Sequence, residues 1–242
     1  MRYRIDLAYN GENYHGWQTQ PNASSVQETL ERSFSLVLRE EIAITGCGRT
    51  DTGVHAEYYV AHFDTTEPIA SPADLVHKMN SFLPKDIAIF GIEPVDDEFN
   101  ARFSAVSRSY RYMIHTRKDP FIDRSSWFVR SPLNIELMNS ACEILIKHTD
   151  FAAFCKAGGD NKTTICHISS AKWYQDGHRI KFEITADRFL RNMVRAIVGT
   201  MVDIGTGKTS LDDFENIIKS HKRSSAGQSV PAHGLALVDI RY

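Results

Sequence analysis

The order of strand and helix patterns is the feature that most constrains what this chain can fold into. In the first half, a strand pattern at residues 3–8 precedes a helix pattern that starts with a Ser-x-x-Glu capping box at 25–28. In the second half, a strand pattern at 110–115 again precedes a pattern of apolar residues at helical spacing. Because both halves mix strands and helices in a similar order, we predict two related α+β halves, residues 1–104 and 105–242.

The remaining periodicities complete this prediction. Further strands are predicted at 42–45, 58–63, 87–92, 165–173, 180–186 and 235–240. Helices are predicted at 75–82, after Asn134, from 188 to about 202 with Asp187 as the cap, and at 214–218. A cleft between two such halves is a natural place for a ligand.

The composition is that of an ordinary globular chain and excludes few classes of protein. Hydrophobic residues make up 42% and charged residues 24% of the 242 residues, which is enough apolar material for a sizeable core. No run approaches the roughly 18 apolar residues of a membrane span, and the first residues lack the apolar run of a signal peptide. We therefore expect a cytoplasmic protein. The four cysteines form no C-x-x-C pair, so we expect reduced, structural thiols.

The charge is slightly negative overall but unevenly distributed. A net charge of −2 argues weakly against a nucleic-acid-binding protein. Between Arg102 and Arg130, however, seven basic residues face only two acidic residues, Asp119 and Asp123, which leaves a local charge of +5. Such a segment can attract phosphates, although an unevenly charged, solvated surface explains the composition equally well.

The most unusual passage is a glycine-rich segment at residues 46–55. It reads Gly46-Cys47-Gly48-Arg49-Thr50-Asp51-Thr52-Gly53-Val54-His55. Three glycines within eight residues allow positive φ and close backbone approach, and Arg49 and Asp51 lie between them. One interpretation is a loop that presents a carboxylate and a guanidinium to a ligand. The other is a glycine-rich turn in which Asp51 makes a local Asx hydrogen bond.

This segment resembles the signature G-R-T-D-x-G-V-H-A of the TruA family of tRNA pseudouridine synthases. Similar blocks follow in the family's order along nearly the whole chain, at residues 9–20, 100–105, 108–112, 189–195 and 231–235. The chain departs from the family pattern at four positions, which are Asn10, Cys47, Asn100 and Cys166. Cys166 stands where the family often has an arginine, which leaves an RNA contact at that position in doubt.

The resemblance implies an isomerase that converts uridine to pseudouridine in the anticodon stem-loop of tRNA. It implies two ferredoxin-like α+β halves that share a mostly antiparallel sheet, with the active-site cleft between them. It also implies a homodimer in which one tRNA contacts both subunits, and it implies neither a cofactor nor a metal ion. In the reaction, the N1–C1′ bond breaks, the base turns and C5 joins C1′, so no group is imported and nothing is oxidised or reduced overall.

Asp51 matches the catalytic carboxylate of the family. A carboxylate can attack C1′ as a nucleophile, as in retaining glycosidases, or remove a sugar proton to give a glycal, and both routes remain open. The resemblance assigns base stacking and proton transfer at C5 to Tyr110, base extrusion to Arg49, and one wall of the uracil pocket to Leu235. From the residues alone, core positions are favoured for Tyr110 and Leu235, and Arg49 is also compatible with an ion pair to Asp51. His55 is expected to be a hydrogen-bonded structural histidine.

The predicted helix at 188–202 indicates a role for Arg195. The helix is apolar nearly all round and is expected to be buried, while Arg188, Arg191 and Arg195 follow the spacing of one helical face. Arg195 would lie two turns into this helix, where a lone buried charge is costly. In the family pattern, an arginine that matches Arg195 lies beside the catalytic acid. We therefore predict that Arg195 binds Asp51 through two bonds, which would orient the carboxylate and lower its pKa.

Two other functions remain open from the sequence. The first is a non-catalytic tRNA-binding protein or RNA chaperone on the same scaffold, which would have no chemical need for the set Asp51, Tyr110 and Arg195. The second is a phosphate-binding enzyme that uses the glycine-rich segment. That segment lacks the Lys-Ser/Thr ending of a P-loop, which weighs against this function.

Overall fold

The computed structural model describes residues 1–156, 158 and 162–242, which divide into two compact units. The first unit comprises Met1–Val106 and Ala236–Tyr242, and the second comprises Ser107–Leu235. The C-terminal strand, which we predicted within the second half, therefore lies almost wholly in the first unit. Each unit combines a mostly antiparallel sheet with helices, so the predicted α+β class is confirmed.

The first unit is built on five strands and two helices. The strands are β1 (Arg2–Tyr9), β2 (Ile44–Gly46), β3 (His55–Asp64), β4 (Ile87–Val95) and β9 (Leu235–Arg241), and the helices are α1 (Val26–Leu38) and α2 (Pro72–Phe82). Strand β1 pairs antiparallel with β3 on one side and with β4 on the other. Strand β2 also pairs antiparallel with β3, whereas the start of β3 pairs parallel with β9, His55 opposite Ala236.

Helix α1 follows directly from its sequence. The Ser25 hydroxyl accepts the backbone N–H of Glu28 at 3.2 Å, which satisfies an N–H of the first turn and confirms the predicted cap. Val26, Leu30 and Phe34 lie on one face and are fully buried. The helix ends at Arg39, whose φ of 61° is left-handed.

Within its described residues, the second unit is built on four strands and three α-helices. The strands are β5 (Ser107–His115), β6 (Trp127–Phe128), β7 (Ile168–Asp176) and β8 (Arg179–Ala186), and the helices are α3 (Ile135–Leu145), α4 (Met193–Gly205) and α5 (Leu211–Ser220). Strand β8 pairs antiparallel with β5 and with β7. The predicted turn between β7 and β8 is confirmed, and Gly177 in that turn has a φ of 55°.

Helix α4 begins at Met193, five residues later than we predicted. Asn192 has a φ of 65°, and a right-handed helix cannot continue through such a residue. The Asp187 carboxylate accepts the N–H of Arg188 at 2.7 Å, but Asp187 holds a turn at this point and does not cap a helix. Arg188 therefore lies before the helix.

This late start changes the position of the three arginines. Arg188 and Arg191 lie in the irregular segment before α4, so the predicted common helical face was wrong. Arg195 lies in the first turn of α4, not two turns into it. The prediction that the helix itself is buried is confirmed at Met193, Val194, Ala196, Ile197, Val198, Met201 and Val202.

The segment before β9 crosses α4 at very short range. A Cβ added at Gly199 would lie 1.9 Å from the carbonyl oxygen of Gln228, so only glycine allows this approach. One turn earlier on the helix, the Val230 N–H donates to the Arg195 carbonyl at 3.2 Å. The chain that leads to Leu235 is thus fixed against the first two turns of α4.

Within the described residues, no helix is long and apolar enough to cross a membrane. Among the same residues, no three His, Cys, Asp or Glu side chains are grouped so as to hold a metal ion.

Candidate active site

Asp51 lies half-buried in the loop between β2 and β3, and we name residues 47–54 the Asp51 loop. Backbone hydrogen bonds hold this loop on both sides of Asp51. The Trp17 N–H donates to the Thr50 carbonyl at 3.3 Å, and the Val54 N–H donates to the Asp51 carbonyl at 3.1 Å. The hydroxyls of Thr50 and Tyr9 share a further bond of 2.9 Å in the interior. The carboxylate is therefore carried by a fixed turn.

The Asp51 loop rests on the segment of residues 10–17, which contains two glycines at points of closest approach. A Cβ at Gly11 would lie 2.0 Å from the Val54 carbonyl oxygen, and a Cβ at Gly16, whose φ is 92°, would lie 2.4 Å from the Thr50 carbonyl oxygen. A side chain at either position would therefore clash with backbone atoms, and the loop would have to move. The family-like block at 9–20 is thus, in physical terms, the support of the loop that carries Asp51.

Arg49 shares this loop with Asp51 but points to the surface. Its side chain is exposed, and its Nε donates to Gln18 Oε1 at 3.1 Å. The Tyr59 hydroxyl donates to the carbonyl of the neighbouring Gly48, and the Tyr59 ring stacks on Trp17 with centroids 4.1 Å apart. The Arg49 guanidinium is already exposed on a fixed backbone. It can therefore contact a polynucleotide without a conformational change that brings it out of the interior.

His55 follows the loop and has a structural contact. Its Nδ1 accepts the N–H of Gly11 at 3.0 Å, and its side chain is buried. An Nδ1 that accepts a hydrogen bond carries no proton. This geometry agrees with the structural role predicted for His55.

Tyr110 lies on β5 in the second unit, at the margin of the core. The ring is half-buried and meets Phe189 edge to face, with centroids 5.1 Å apart and an interplanar angle of 88°. Tyr112 lies on the same side of the strand, two residues further, and is fully buried. The partly exposed position of Tyr110 leaves ring surface with which a base could stack.

Tyr112 connects β5 to the family-like block at 231–235 through a hydrogen bond. Its hydroxyl donates to the Pro231 carbonyl at 2.8 Å, and burial raises the pKa of Tyr112, an effect that the nearby Arg195 charge opposes. Gly234 passes so close that a Cβ would lie 2.7 Å from the Tyr112 ring. Leu235, 6% exposed, follows at once and starts β9.

Arg195 is oriented by the residue just before this block. Its Nε donates to the Val230 carbonyl at 2.8 Å. A carboxylate that bound this guanidinium through two parallel bonds would therefore do so at Nη1 and Nη2. Asp51 belongs to the first unit and Arg195 to the second, and their pairing stays a prediction.

Cys166 does not take over the role of the arginine that the family often has there. The residue is fully buried, and burial raises the pKa of its thiol to about 12. The thiol is therefore neutral near pH 7 and does not reach an RNA phosphate from this position.

Several groups that hold the predicted site residues in place were not predicted from the sequence. Tyr14 lay within a family-like block, so the block itself was a signal for it. Tyr112 also lay within such a block. No sequence pattern indicated the Val230 carbonyl or Asp86, which contacts residues 10–14.

Comparison with known proteins first defines the class. The sequence pattern of the family described as tRNA pseudouridine synthase matches residues 7–104 and 141–242, well over half of the chain. This match, with the α+β units and the carboxylate loop, makes the protein an isomerase of the pseudouridine synthase class, as predicted. The chain belongs to the tRNA pseudouridine synthase family.

Curated relatives agree over their full length, and each is named tRNA pseudouridine synthase A. The protein from Parabacteroides distasonis is 48% identical over 241 residues, which cover 100% of this chain and 96% of the relative. The protein from Porphyromonas gingivalis is 48% identical over 247 residues, covering 100% and 97%. The protein from Thermoanaerobacter pseudethanolicus is 43% identical over 241 residues, covering 98% of each chain.

Proposed function

We propose that this protein converts uridine to pseudouridine in tRNA, with Asp51 as the carboxylate that reacts at the ribose. The observation that carries the proposal is the half-buried Asp51 on a loop bonded at Thr50 and Val54, in a chain of the pseudouridine synthase family. A carboxylate that has to approach one ribose atom from one direction needs such a fixed backbone, because small displacements cost large factors in rate.

The isomerisation balances with Asp51 as the only reacting side chain at the ribose. In the first route, the carboxylate forms an ester bond to C1′ as the N1–C1′ bond breaks, and the bonding electrons leave on the uracil. In the second, the carboxylate takes a sugar proton as the base departs and leaves a glycal. In the first route C5 then bonds to C1′ as the ester bond to Asp51 breaks, which restores the carboxylate. In the second, C5 bonds to C1′ of the glycal as the sugar carbon regains its proton from the Asp51 carboxyl group. In both routes the C5 proton is then lost and N1 gains a proton.

The remaining predicted residues complete this proposal. The target uridine has to leave its stack, which costs a few kcal/mol that stacking on side chains offsets in part. Tyr110 stacks on the displaced base and its hydroxyl assists proton transfer at C5, while Leu235 forms a wall of the pocket. Arg49, exposed beside Asp51, aids extrusion. Arg195 binds the Asp51 carboxylate and keeps it oriented.

We propose the anticodon stem-loop as the target, the cytoplasm as the compartment, and a homodimer as the active form. The family resemblance supports all three. One side chain adds to the case for a dimer: Phe121, in the loop between β5 and β6, is 93% exposed, and aromatic side chains are enriched in subunit interfaces.

The test is incubation with tRNA labelled in uridine, followed by mapping of pseudouridine. We expect the wild-type protein to form pseudouridine, whereas Asp51→Asn should form none and still bind the tRNA, because the substitution keeps the shape of the side chain. Asp74→Asn, a change of an exposed aspartate in α2, is the matched control. A wild-type protein that binds tRNA without modifying it would favour the non-catalytic RNA-binding alternative. Substantial turnover by Asp51→Asn would refute the role of that residue.

A further inference from the structure

Asp86, in the turn between α2 and β4, holds the segment that supports the Asp51 loop. One carboxylate oxygen accepts the Tyr14 hydroxyl at 2.6 Å, and the other accepts the Asn13 side-chain amide at 3.1 Å. The Asp86 carbonyl also accepts the N–H of Asn10 at 2.8 Å. Three bonds from one residue therefore fix both ends of a five-residue stretch.

Tyr14 links these bonds to the Asp51 loop. Its side chain is 6% exposed and ends on Asp86, while its backbone carbonyl accepts the N–H of Gly53 at 3.3 Å. Gly53 lies two residues after Asp51 and has a φ of 76°. A displacement of Tyr14 would thus move Gly53 through this one hydrogen bond, and with it the turn that carries Asp51.

The Asp51 loop needs a support of this kind. Two glycines, Gly48 and Gly53, give the loop little stiffness of its own, and the contacts of Gly11 and Gly16 with it are contacts of backbone against backbone. Such contacts set how near the segment 10–17 can come, but they do not prevent it from moving away. The three bonds to Asp86 restrain the segment against such movement.

We propose that Asp86 is a positioning residue for Asp51, acting through the hydroxyl and the carbonyl of Tyr14. This inference rests on the proposed function, since it assigns Asp86 to the same reaction. The bond from a tyrosine hydroxyl to a carboxylate is charge-assisted and short, which makes it stiffer than a neutral bond. Burial raises the pKa of Tyr14, and the Asp86 carboxylate adds to this effect, so the hydroxyl keeps its proton throughout the range in which the enzyme would be assayed.

The experiment compares Tyr14→Phe, Asp86→Ala and Asp86→Asn with a matched control, Tyr3→Phe. Tyr3 is a buried tyrosine of the same unit, 2% exposed, whose hydroxyl accepts the N–H of Ile69 at 2.9 Å. Tyr14→Phe and Tyr3→Phe therefore each remove one buried hydroxyl and one hydrogen bond. Only the first lies between Asp86 and the Asp51 loop.

For each variant, kcat and KM on tRNA are measured together with hydrogen exchange at the amides of Gly53 and Val54. We expect kcat to fall about tenfold in Tyr14→Phe and Asp86→Ala, with KM within twofold of the wild type, because a misplaced carboxylate slows the chemical step and leaves RNA contacts intact. Exchange at Gly53 and Val54 should be faster in both. Asp86→Asn should recover most of kcat, since its amide oxygen still accepts the Tyr14 hydroxyl.

Either of two results would overturn the inference. The first is kcat within twofold of the wild type in both Tyr14→Phe and Asp86→Ala. The second is an equal loss in Tyr3→Phe, which would show a general effect on stability. If the wild-type protein forms no pseudouridine, the proposed function fails, and exchange at Gly53 and Val54 still decides the inference: unchanged exchange in Asp86→Ala refutes it, and faster exchange supports the link from Asp86 to the loop.

Discussion

In the first unit, backbone hydrogen bonds hold the Asp51 loop, and glycines allow the backbone segments to approach closely enough to form them. In the second unit, side-chain hydrogen bonds hold the predicted site residues. Gly11 and Gly16 allow the loop to touch its support. By contrast, Arg195 is fixed by its own Nε on Val230, and the block that leads to Leu235 is fixed by the Tyr112 hydroxyl. The two units should therefore respond differently to substitution. Atoms added at Gly11 or Gly16 should damage the first, and donors removed from Arg195 or Tyr112 should damage the second.

Among the substitutions that test this comparison, the largest effect is expected from removal of one donor in the second unit, the hydroxyl of Tyr110. Tyr110→Phe keeps the ring and its contact with Phe189, so tRNA binding should stay within about twofold of the wild type. A positioned acid or base typically contributes 10²-fold or more, and turnover should fall by about that factor. Single-turnover rates and binding titrations check both parts. Tyr174→Phe, on β7, is the control, and equal rates for Tyr110→Phe and wild type would limit the role of Tyr110 to stacking.

A substitution that only adds atoms provides the matching test for the first unit. Gly11→Ala places a Cβ 2.0 Å from the Val54 carbonyl oxygen, so the Asp51 loop has to shift. A shift of about 1 Å can cost about 10²-fold in rate, and the melting temperature should fall by several degrees. Gly91→Ala in β4 adds the same methyl group where no atom lies within 4 Å and should change neither quantity. Normal activity in Gly11→Ala would show that the loop is not held by close approach.

Arg195→Lys distinguishes charge from geometry in the second unit. Lysine keeps the charge but cannot donate to the Val230 carbonyl while also offering a planar pair of donors to a carboxylate. We expect turnover to fall about tenfold or more, with little change in folding stability. The control is Arg179→Lys, at an exposed ion pair with Asp119. Full activity of Arg195→Lys would refute the requirement for two bonds to Asp51.

The smallest effects are expected from single cations of the basic segment between Arg102 and Arg130. Binding of tRNA should weaken as salt rises, with each phosphate contact contributing a slope of about −0.7 to −0.9 in log K against log[salt]. Lys118 is exposed in the loop after β5, and Lys118→Gln should lower that slope by about one unit while leaving turnover at saturation unchanged. A flat salt titration of the wild-type protein would show that this segment does not contact RNA.

The parts of the structure that could be predicted from the sequence are those that depend on local patterns. Helix α1 was predictable because the Ser25 cap and the spacing of Leu30 and Phe34 are both local signals. The Asp51 loop was identifiable because its glycines and its resemblance to a family occur in one continuous stretch. The role of Asp51 in the chemistry stays a prediction.

Other parts depend on contacts between distant residues, which a local pattern does not contain. The apolar residues around Phe189 continue a helical periodicity, yet Asn192 turns left-handed and delays α4 to Met193. The support of the Asp51 loop by Asp86 joins residues more than seventy positions apart through side-chain bonds. The two-residue strand β6 is too short to show any period.

The parallel pairing of His55 and Ala56 with Ala236 and Leu237 has a consequence for biosynthesis. His55 and Ala56, just after the Asp51 loop, acquire their partner in β9 only when the whole second unit has been synthesised, because β9 follows that unit in the chain. Until then, the edge of β3 beside the Asp51 loop stays open, and its pairing is a contact of very long sequence separation. The first unit therefore cannot complete its sheet beside Asp51 before the chain has made the second unit.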